Sequence, residues 1–302
     1  MGVGVFVLGM HRSGTSAATR AINLLGVSTA IEEDIVQPRL ENPKGYWESA
    51  SLVEFNTRLL SAVGSETGCP AVLQSGWEQS PRVVELRDVA RSVVERVFPI
   101  EPWVWKDPRN CLTFPFWASA LDVRLVVVLM NRNPLEIAAS LHVRDGESTV
   151  YSLALWERYV RSALGAITGL SVLVTSYEDL LSAPHAWCQR TEGFLNAEGV
   201  ATSGRGDADL LDFVDVELRH ARFTRCDVLD DAVVSDQQRA LYLALEHLVG
   251  SYSHFSSPSI PPESPTTEAL LAERRRQVQH NRKLRRRERT PLSAMEKTWQ
   301  TG

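Results

Sequence analysis

Cysteine is scarce in this chain of 302 residues: there are four, Cys69, Cys111, Cys188 and Cys226, and they stand far apart. With no C-x-x-C pair, neither a thiolate metal centre nor a disulfide scaffold is indicated; ordinary buried thiols in a reducing compartment are expected. Long apolar runs are missing too. Val3 to Leu8 is far too short to span a bilayer, and no other stretch approaches the needed length. The N-terminus lacks a charged region followed by a longer apolar stretch and a cleavage site, so a cytoplasmic location without a transmembrane segment is expected. Internal repeats are absent. The net charge is −5, without the basic excess that general nucleic-acid binding requires.

That charge is unevenly spread. Residues 273–289 carry nine cations and two anions, a local +7 that leaves −12 on the remainder. Before them lies Ser256-Ser-Pro-Ser-Ile-Pro-Pro-Glu-Ser-Pro265, whose proline and serine content reads as a linker. The expected organisation is a domain over 1–255, a linker over 256–267 and a basic tail over 268–302, the tail a solvated helix or disordered.

The chemistry begins at the N-terminus. Val3 to Leu8 reads as a buried parallel strand that stops at Gly9. A short polar turn, His11-Arg-Ser-Gly-Thr-Ser16, leads into a helix over 17–25. Strand, glycine-bearing turn and helix N-terminus form a ready anion site, because free backbone N–H groups and the helix dipole both favour negative charge there. The spacing Gly9-x4-Gly14-Thr15-Ser16 is close to the Walker pattern, but Thr15 stands where the lysine should be, and Arg12 is the cation of the loop. A kinase or NTPase uses that lysine on the β- and γ-phosphates and the next hydroxyl on magnesium.

A second strand, Arg124 to Met130, is followed by Asn131-Arg-Asn-Pro-Leu-Glu-Ile-Ala-Ala-Ser140. Asn133 suits an N-cap and Pro134 a first helical position. Arg132 is thus expected at a strand's carboxyl end and Ser140 two turns into the helix, at the edge where open α/β sheets bind ligands. No acid ends this strand to serve as a magnesium ligand, which counts again against an NTPase. Ser171 to Leu181 reads as a third strand, turn and helix start, with Tyr177 at the turn. Pro102 to Trp105 reads as a short strand. Apolar stripes at Val83 to Val97, Trp156 to Ile167 and Leu241 to Leu248 read as core-facing helices, and Glu198 to Asp209 as a loop. The pattern predicts an α/β fold: a P-loop-like open parallel sheet with helices on both faces.

Arg12-Ser-Gly-Thr-Ser16, Arg132 before Asn-Pro with Ser140 beyond, and Tyr177-Glu-Asp-Leu together resemble the sulfotransferases that use 3'-phosphoadenosine 5'-phosphosulfate (PAPS), in their bacterial Arg-Ser-Gly-Thr form. The resemblance spans roughly residues 3 to 250, but only these segments are specific. It implies that His11, Arg12, Ser13, Gly14, Thr15 and Ser16 surround the 5'-phosphosulfate. It further implies that Arg132 and Ser140 hold the 3'-phosphate and that Tyr177 lies beside the adenine, with 3',5'-adenosine bisphosphate as product. Lys106, in Trp105-Lys-Asp-Pro-Arg109, resembles the lysine near the transferred group; a surface pair with Asp107 is its plain alternative. Pro108 occupies the position of the histidine used by animal cytosolic members, so a carboxylate base is implied instead. Glu33, in Ile31-Glu-Glu-Asp34, matches one family spacing. Glu48, in the Gly45-Tyr-Trp-Glu48 turn, matches another, in an aromatic setting that would raise its pKa. His11 is expected to shape the turn or touch a phosphate rather than act as base. Arg219 and Arg222 stand where the family closes a basic segment over the 3'-phosphate.

The implied reaction is in-line sulfuryl transfer, with Arg12 and Lys106 stabilising the leaving phosphate and no metal. The acceptor is a hydroxyl or amine of a small molecule, carbohydrate or lipid, held by loops over 32–80 and 142–150. Trp47, Trp77, Trp103, Trp105 and Trp117 are either core residues or lining of its cleft. A homo-oligomer is compatible with the sequence. A P-loop kinase or NTPase acting on a small molecule is the competing enzyme reading, and a non-catalytic nucleotide-binding scaffold is the third.

Overall fold

A computed structural model describes residues 2–39, 42–203, 219 and 221–288. Five strands make one sheet: β1 (Val3–Leu8), β2 (Trp103–Lys106), β3 (Arg124–Asn131), β4 (Ser171–Ser176) and β5 (Gly250–Tyr252). Their order is β2-β1-β3-β4-β5. The first four are parallel, whereas β5 runs antiparallel to β4. The expected open parallel sheet is thus present, with one short antiparallel strand, β5, at its edge. Three residues of β5 cannot announce a direction by pattern; their pairing with Val172, Leu173 and Val174 sets it.

The helices are α1 (Thr15–Leu24), α2 (Ala50–Ala62), α3 (Pro81–Val84), α4 (Arg87–Val97), α5 (Asn110–Ala120), α6 (Pro134–Asp145) and α7 (Thr149–Ala166). They continue with α8 (Tyr177–Ser182), α9 (Pro184–Ala197), α10 (Arg225–Asp230), α11 (Asp236–His247) and α12 (Pro265–Glu288). Both faces of the sheet are covered. Along β1, Phe6 and Leu8 enter a core shared with α2, α4, α5 and α7, while Val5 and Val7 enter a second core shared with α1 and α9. Burial on both sides is why these strands read as unbroken apolar runs rather than alternating ones. Trp103, Trp105 and Trp117 belong to the first core, packed with Phe6, Phe98 and each other. They are core, not cleft lining.

The strand order fixes where a ligand site belongs. The chain leaves β1 toward β2, then crosses to β3 on the other side of β1. At such a reversal the loops after β1 and β3 part, leaving a crevice at the carboxyl edge. In register, Leu8 of β1 lies beside Leu129 of β3, and Asn131 beside Ser176 of β4, so the loops carrying Arg12, Arg132 and Tyr177 leave the sheet at neighbouring points.

The proline- and serine-rich stretch before α12 is extended but held against α7. Glu157, fully buried, accepts hydrogen bonds from the Ser264 amide (3.0 Å), the Thr267 hydroxyl (2.7 Å) and Arg161 (2.9 Å). Arg158 donates to Glu263 and Glu268, each at 2.6 Å. Leu271 is buried in the main core, so the first half of α12 is a packed element rather than a solvated one. Its arginines serve local contacts: Arg275 with Glu268, and Arg274 with Glu147 and the face of Tyr151. Among the described residues, no helix is long and apolar enough to cross a membrane.

Candidate functional site

Gly14 caps α1 in a left-handed conformation (φ 87°), and no side chain caps the helix. The first amides of α1 therefore have no intrahelical acceptor and no side-chain substitute. A Cβ on Gly14 would lie 2.2 Å from the Tyr177 ring, so the glycine is required twice, by its dihedral and by the aromatic packed on it. Arg12 is also left-handed (φ 68°), a conformation that costs a non-glycine residue about 1–2 kcal/mol. It sets the guanidinium toward α6: Arg12 Nε donates to Ser140 Oγ at 2.8 Å. Arg132 Nη1 donates to the Arg12 carbonyl at 2.7 Å, and its guanidinium lies over the Tyr177 ring, 4.5 Å from the centroid. Arg12, Gly14, Arg132, Ser140 and Tyr177 thus meet at one point of the sheet edge.

The loop hydroxyls have separate tasks. Ser13 Oγ donates to the Met10 carbonyl (2.7 Å), bracing the turn from within. Ser16 Oγ donates to the Tyr46 carbonyl (3.1 Å), which ties the loop to the segment before α2. Thr15 is buried at the first helical position. Beneath the turn, the Gly9 amide donates to Cys111 Sγ (3.2 Å), whose thiol burial pushes up to about 12.

Glu48 comes to this edge from a different element. Trp47 before it is left-handed (φ 57°), with its indole nitrogen donating to the Lys44 carbonyl and Arg20 stacked on its ring. The Glu48 carbonyl accepts from Val36, and Ser49 caps α2. This turn delivers Glu48 Oε1 to Lys106 Nζ at 2.5 Å, with Arg109 4.0 Å from Oε2. The surroundings of the carboxylate are cationic, not the aromatic setting expected from Gly45-Tyr-Trp-Glu48. Lys106 is buried at the end of β2, and its partner is Glu48 rather than Asp107. Asp107 turns instead to Arg109 (2.9 Å) and to Asn56 (2.8 Å) in a buried polar cluster.

Glu33 falls elsewhere. It is exposed on a one-turn 3₁₀ segment, Glu32–Asp34, and among the described residues it pairs with none of the other candidates. Its neighbour Asp34 does the local work, accepting from the Ser49 and Ser51 hydroxyls. Arg222 is exposed, whereas Arg219 is turned inward onto Glu136. The loop expected over 198–209 lies outside the described residues from 204 onward.

Three participants had no role in the sequence reading. Tyr159, on the apolar stripe of α7, has its hydroxyl on the Thr67 carbonyl (2.9 Å) and 3.4 Å from His11 Nε2. Asn56 on α2 links Asp107, Asn110, Thr113 and Trp117. Glu136 binds Arg132; the signal for it was present, an acid four residues after an arginine and on the first turn of a helix.

Electrostatics at the edge act most strongly on His11 and Arg12. Burial, then Arg144, Arg109, Lys106 and Arg12, hold the His11 imidazole well below its ordinary pKa, so it is neutral at pH 7. Burial, then Arg144 and Arg132, likewise lower Arg12 from its usual value. Two cavities lie elsewhere, one of about 860 Å³ between α9 and β4–β5, the other of about 600 Å³ beside α2 and Trp77. Neither is lined by the residues that converge here.

No family model and no curated protein matches the chain. Among solved structures, it is similar to a sulfotransferase domain from the curacin biosynthetic pathway, with a TM-score of 0.41 and 16% identity over 90% of this chain and 97% of that one. It is similar also to the sulfotransferase domain of the Synechococcus PCC 7002 olefin synthase, with a TM-score of 0.43 and 16% identity over 90% and 94% of the two chains.

Proposed function

We propose that this chain is a PAPS-dependent sulfotransferase acting on a hydroxyl or amine acceptor. The observation that carries the reading is the convergence of two arginine-bearing turns, after β1 and after β3, through Arg132 Nη1 on the Arg12 carbonyl and Arg12 Nε on Ser140. A nucleotide with phosphates at both ends of its ribose needs two neighbouring anion sites. Arg12 with the uncapped amides of α1 makes one, and Arg132 with Ser140 the other. The flat face of Tyr177, already carrying a guanidinium, suits stacking beside a base.

When bound, PAPS supplies a sulfuryl group on a good leaving phosphate. In the transfer, the bond from sulfur to the phosphate oxygen breaks as a bond from sulfur to the acceptor oxygen or nitrogen forms. Glu48 takes the acceptor proton. Lys106 and Arg12 stabilise charge growing on the phosphate that leaves within 3',5'-adenosine bisphosphate. Glu48 is preferred to Glu33 as base because its carboxylate lies on Lys106 at this edge. His11 stays neutral and shapes the turn through Tyr159.

Calorimetric titration with 3',5'-adenosine bisphosphate, ADP and ATP tests the reading. The bisphosphate should bind tightest, and Arg132→Ala should weaken it about ten- to hundredfold, the worth of a charge-assisted hydrogen bond or two. Preference for ATP, strengthened by magnesium and indifferent to Arg132, would restore the kinase reading.

A further inference from the structure

A carboxylate lies buried in the middle of the proposed 3'-phosphate site, where an anion is least welcome. Glu136 is 1% exposed, on the first turn of α6. Its Oε2 accepts from Arg132 Nε at 2.9 Å, and its Oε1 from Arg219 Nη2 at 2.6 Å and from the Phe223 amide at 3.3 Å. The segment around Arg219 is sewn to the same turn a second time, because Asn133 Nδ2 donates to the carbonyls of Phe223 and Thr224. Two guanidinium groups distant in sequence are therefore held on the two oxygens of one carboxylate. Without that charge between them they would repel, and Arg219 would lose its buried partner.

A second carboxylate is placed differently. Glu178, 59% exposed, pairs with Arg219 Nη1 from the solvent side. The two acids touch one arginine but differ in what a phosphate can do to them. Glu136 is enclosed and cannot leave; Glu178 is free to swing into water.

We infer that Glu136 is the positioning residue of a two-arginine clasp, Arg132 with Arg219, for the terminal ribose phosphate, and that Glu178 is the exposed counter-ion this phosphate displaces. The inference rests on the nucleotide assignment above and extends it to three residues and the segment 221–224. Arg132 and Arg219 touch the ligand; Glu136 acts through them.

The test compares two ligands, 3',5'-adenosine bisphosphate and adenosine 5'-phosphate, whose affinity ratio isolates the 3'-phosphate. In the unaltered protein a ratio well above one supports the nucleotide assignment; a ratio of one overturns it and this inference with it. Given a high ratio, Glu136→Gln should lower it about tenfold or more while leaving 5'-phosphate binding nearly unchanged. Arg219→Met should lower it similarly, and the double variant should lose little more than either single one. Glu178→Gln, an exposed change that tests the clasp without touching the core, should raise the ratio. Equal weakening of both ligands in Glu136→Gln, additive losses in the double variant, or a lowered ratio in Glu178→Gln would each overturn the clasp.

Discussion

The charges that pin α12 to α7 and the charges at the carboxyl edge of the sheet are both drawn from arginines and glutamates, but they are balanced differently. In the first group each cation meets a carboxylate: Arg158 with Glu263 and Glu268, Arg161 with Glu157, Arg275 with Glu268. At the edge, Lys106 and Arg109 also meet carboxylates, Glu48 and Asp107, but the same cations, with Arg144 and Arg12, gather about one buried neutral imidazole, His11. A closed network contributes to stability and has nothing left to offer a ligand. Cations gathered about a buried neutral imidazole cost that imidazole its charge and suit the arrival of an anion. Abundance of ion pairs thus says little about function; a titratable group that the pairs hold neutral says more.

The sharpest way to break this contrast is at Glu157. Glu157→Ala strands Arg161, the Thr267 hydroxyl and the Ser264 amide together. Uncompensated buried charge of this kind costs about 3–5 kcal/mol, read as a lowered midpoint in urea. Binding of 3',5'-adenosine bisphosphate per folded molecule should be unchanged; a loss there would show that the two regions are not separable.

Next is Lys106→Met, which keeps the buried aliphatic stem and removes the charge. Sulfuryl transfer should fall about 10²–10³-fold, as for a lost transition-state donor, while the bisphosphate still binds. Measured turnover within a fewfold of the parent would return Lys106 to a structural role as the partner of Glu48.

The smallest effect concerns protons. His11 is depressed in the folded state, so below its ordinary value of 6.5 the unfolded chain binds a proton that the folded one refuses. Stability should therefore fall as pH drops from about 6.5 toward the depressed pKa. His11→Gln should flatten that slope in thermal melts taken at several pH values. An unchanged slope would mean that burial and the cations at the edge do not depress the imidazole as described.

Much of the fold was legible because local and tertiary demands agreed. The run Val3 to Leu8 stops at a glycine, and the strand is those residues. Asn133-Pro134 reads as cap and first turn, and Asn133 accepts from the Leu135 amide. What escaped was decided at a distance. Nothing near residue 250 in the sequence tells it to pair antiparallel with Val174. Lys106 beside Asp107 suggests a neighbourly pair, yet the partner of Lys106 comes from 58 residues earlier, because Trp47 turns the chain there. Glu33 and Glu48 were equal as letters and are unequal as positions, since a 3₁₀ turn exposes one and a helix start delivers the other.

Tyr177 and Gly14 also constrain how this loop can change over time. The ring occupies the volume that any side chain at position 14 would take, and the Arg132 guanidinium lies over it. The two positions cannot be altered in either order. A lineage, or an engineer, that wishes to place any side chain at position 14 must first shrink the aromatic at 177. That first step also removes the ring beneath the Arg132 guanidinium, so a change at 14 disturbs the turn after β3 before it reshapes the turn after β1.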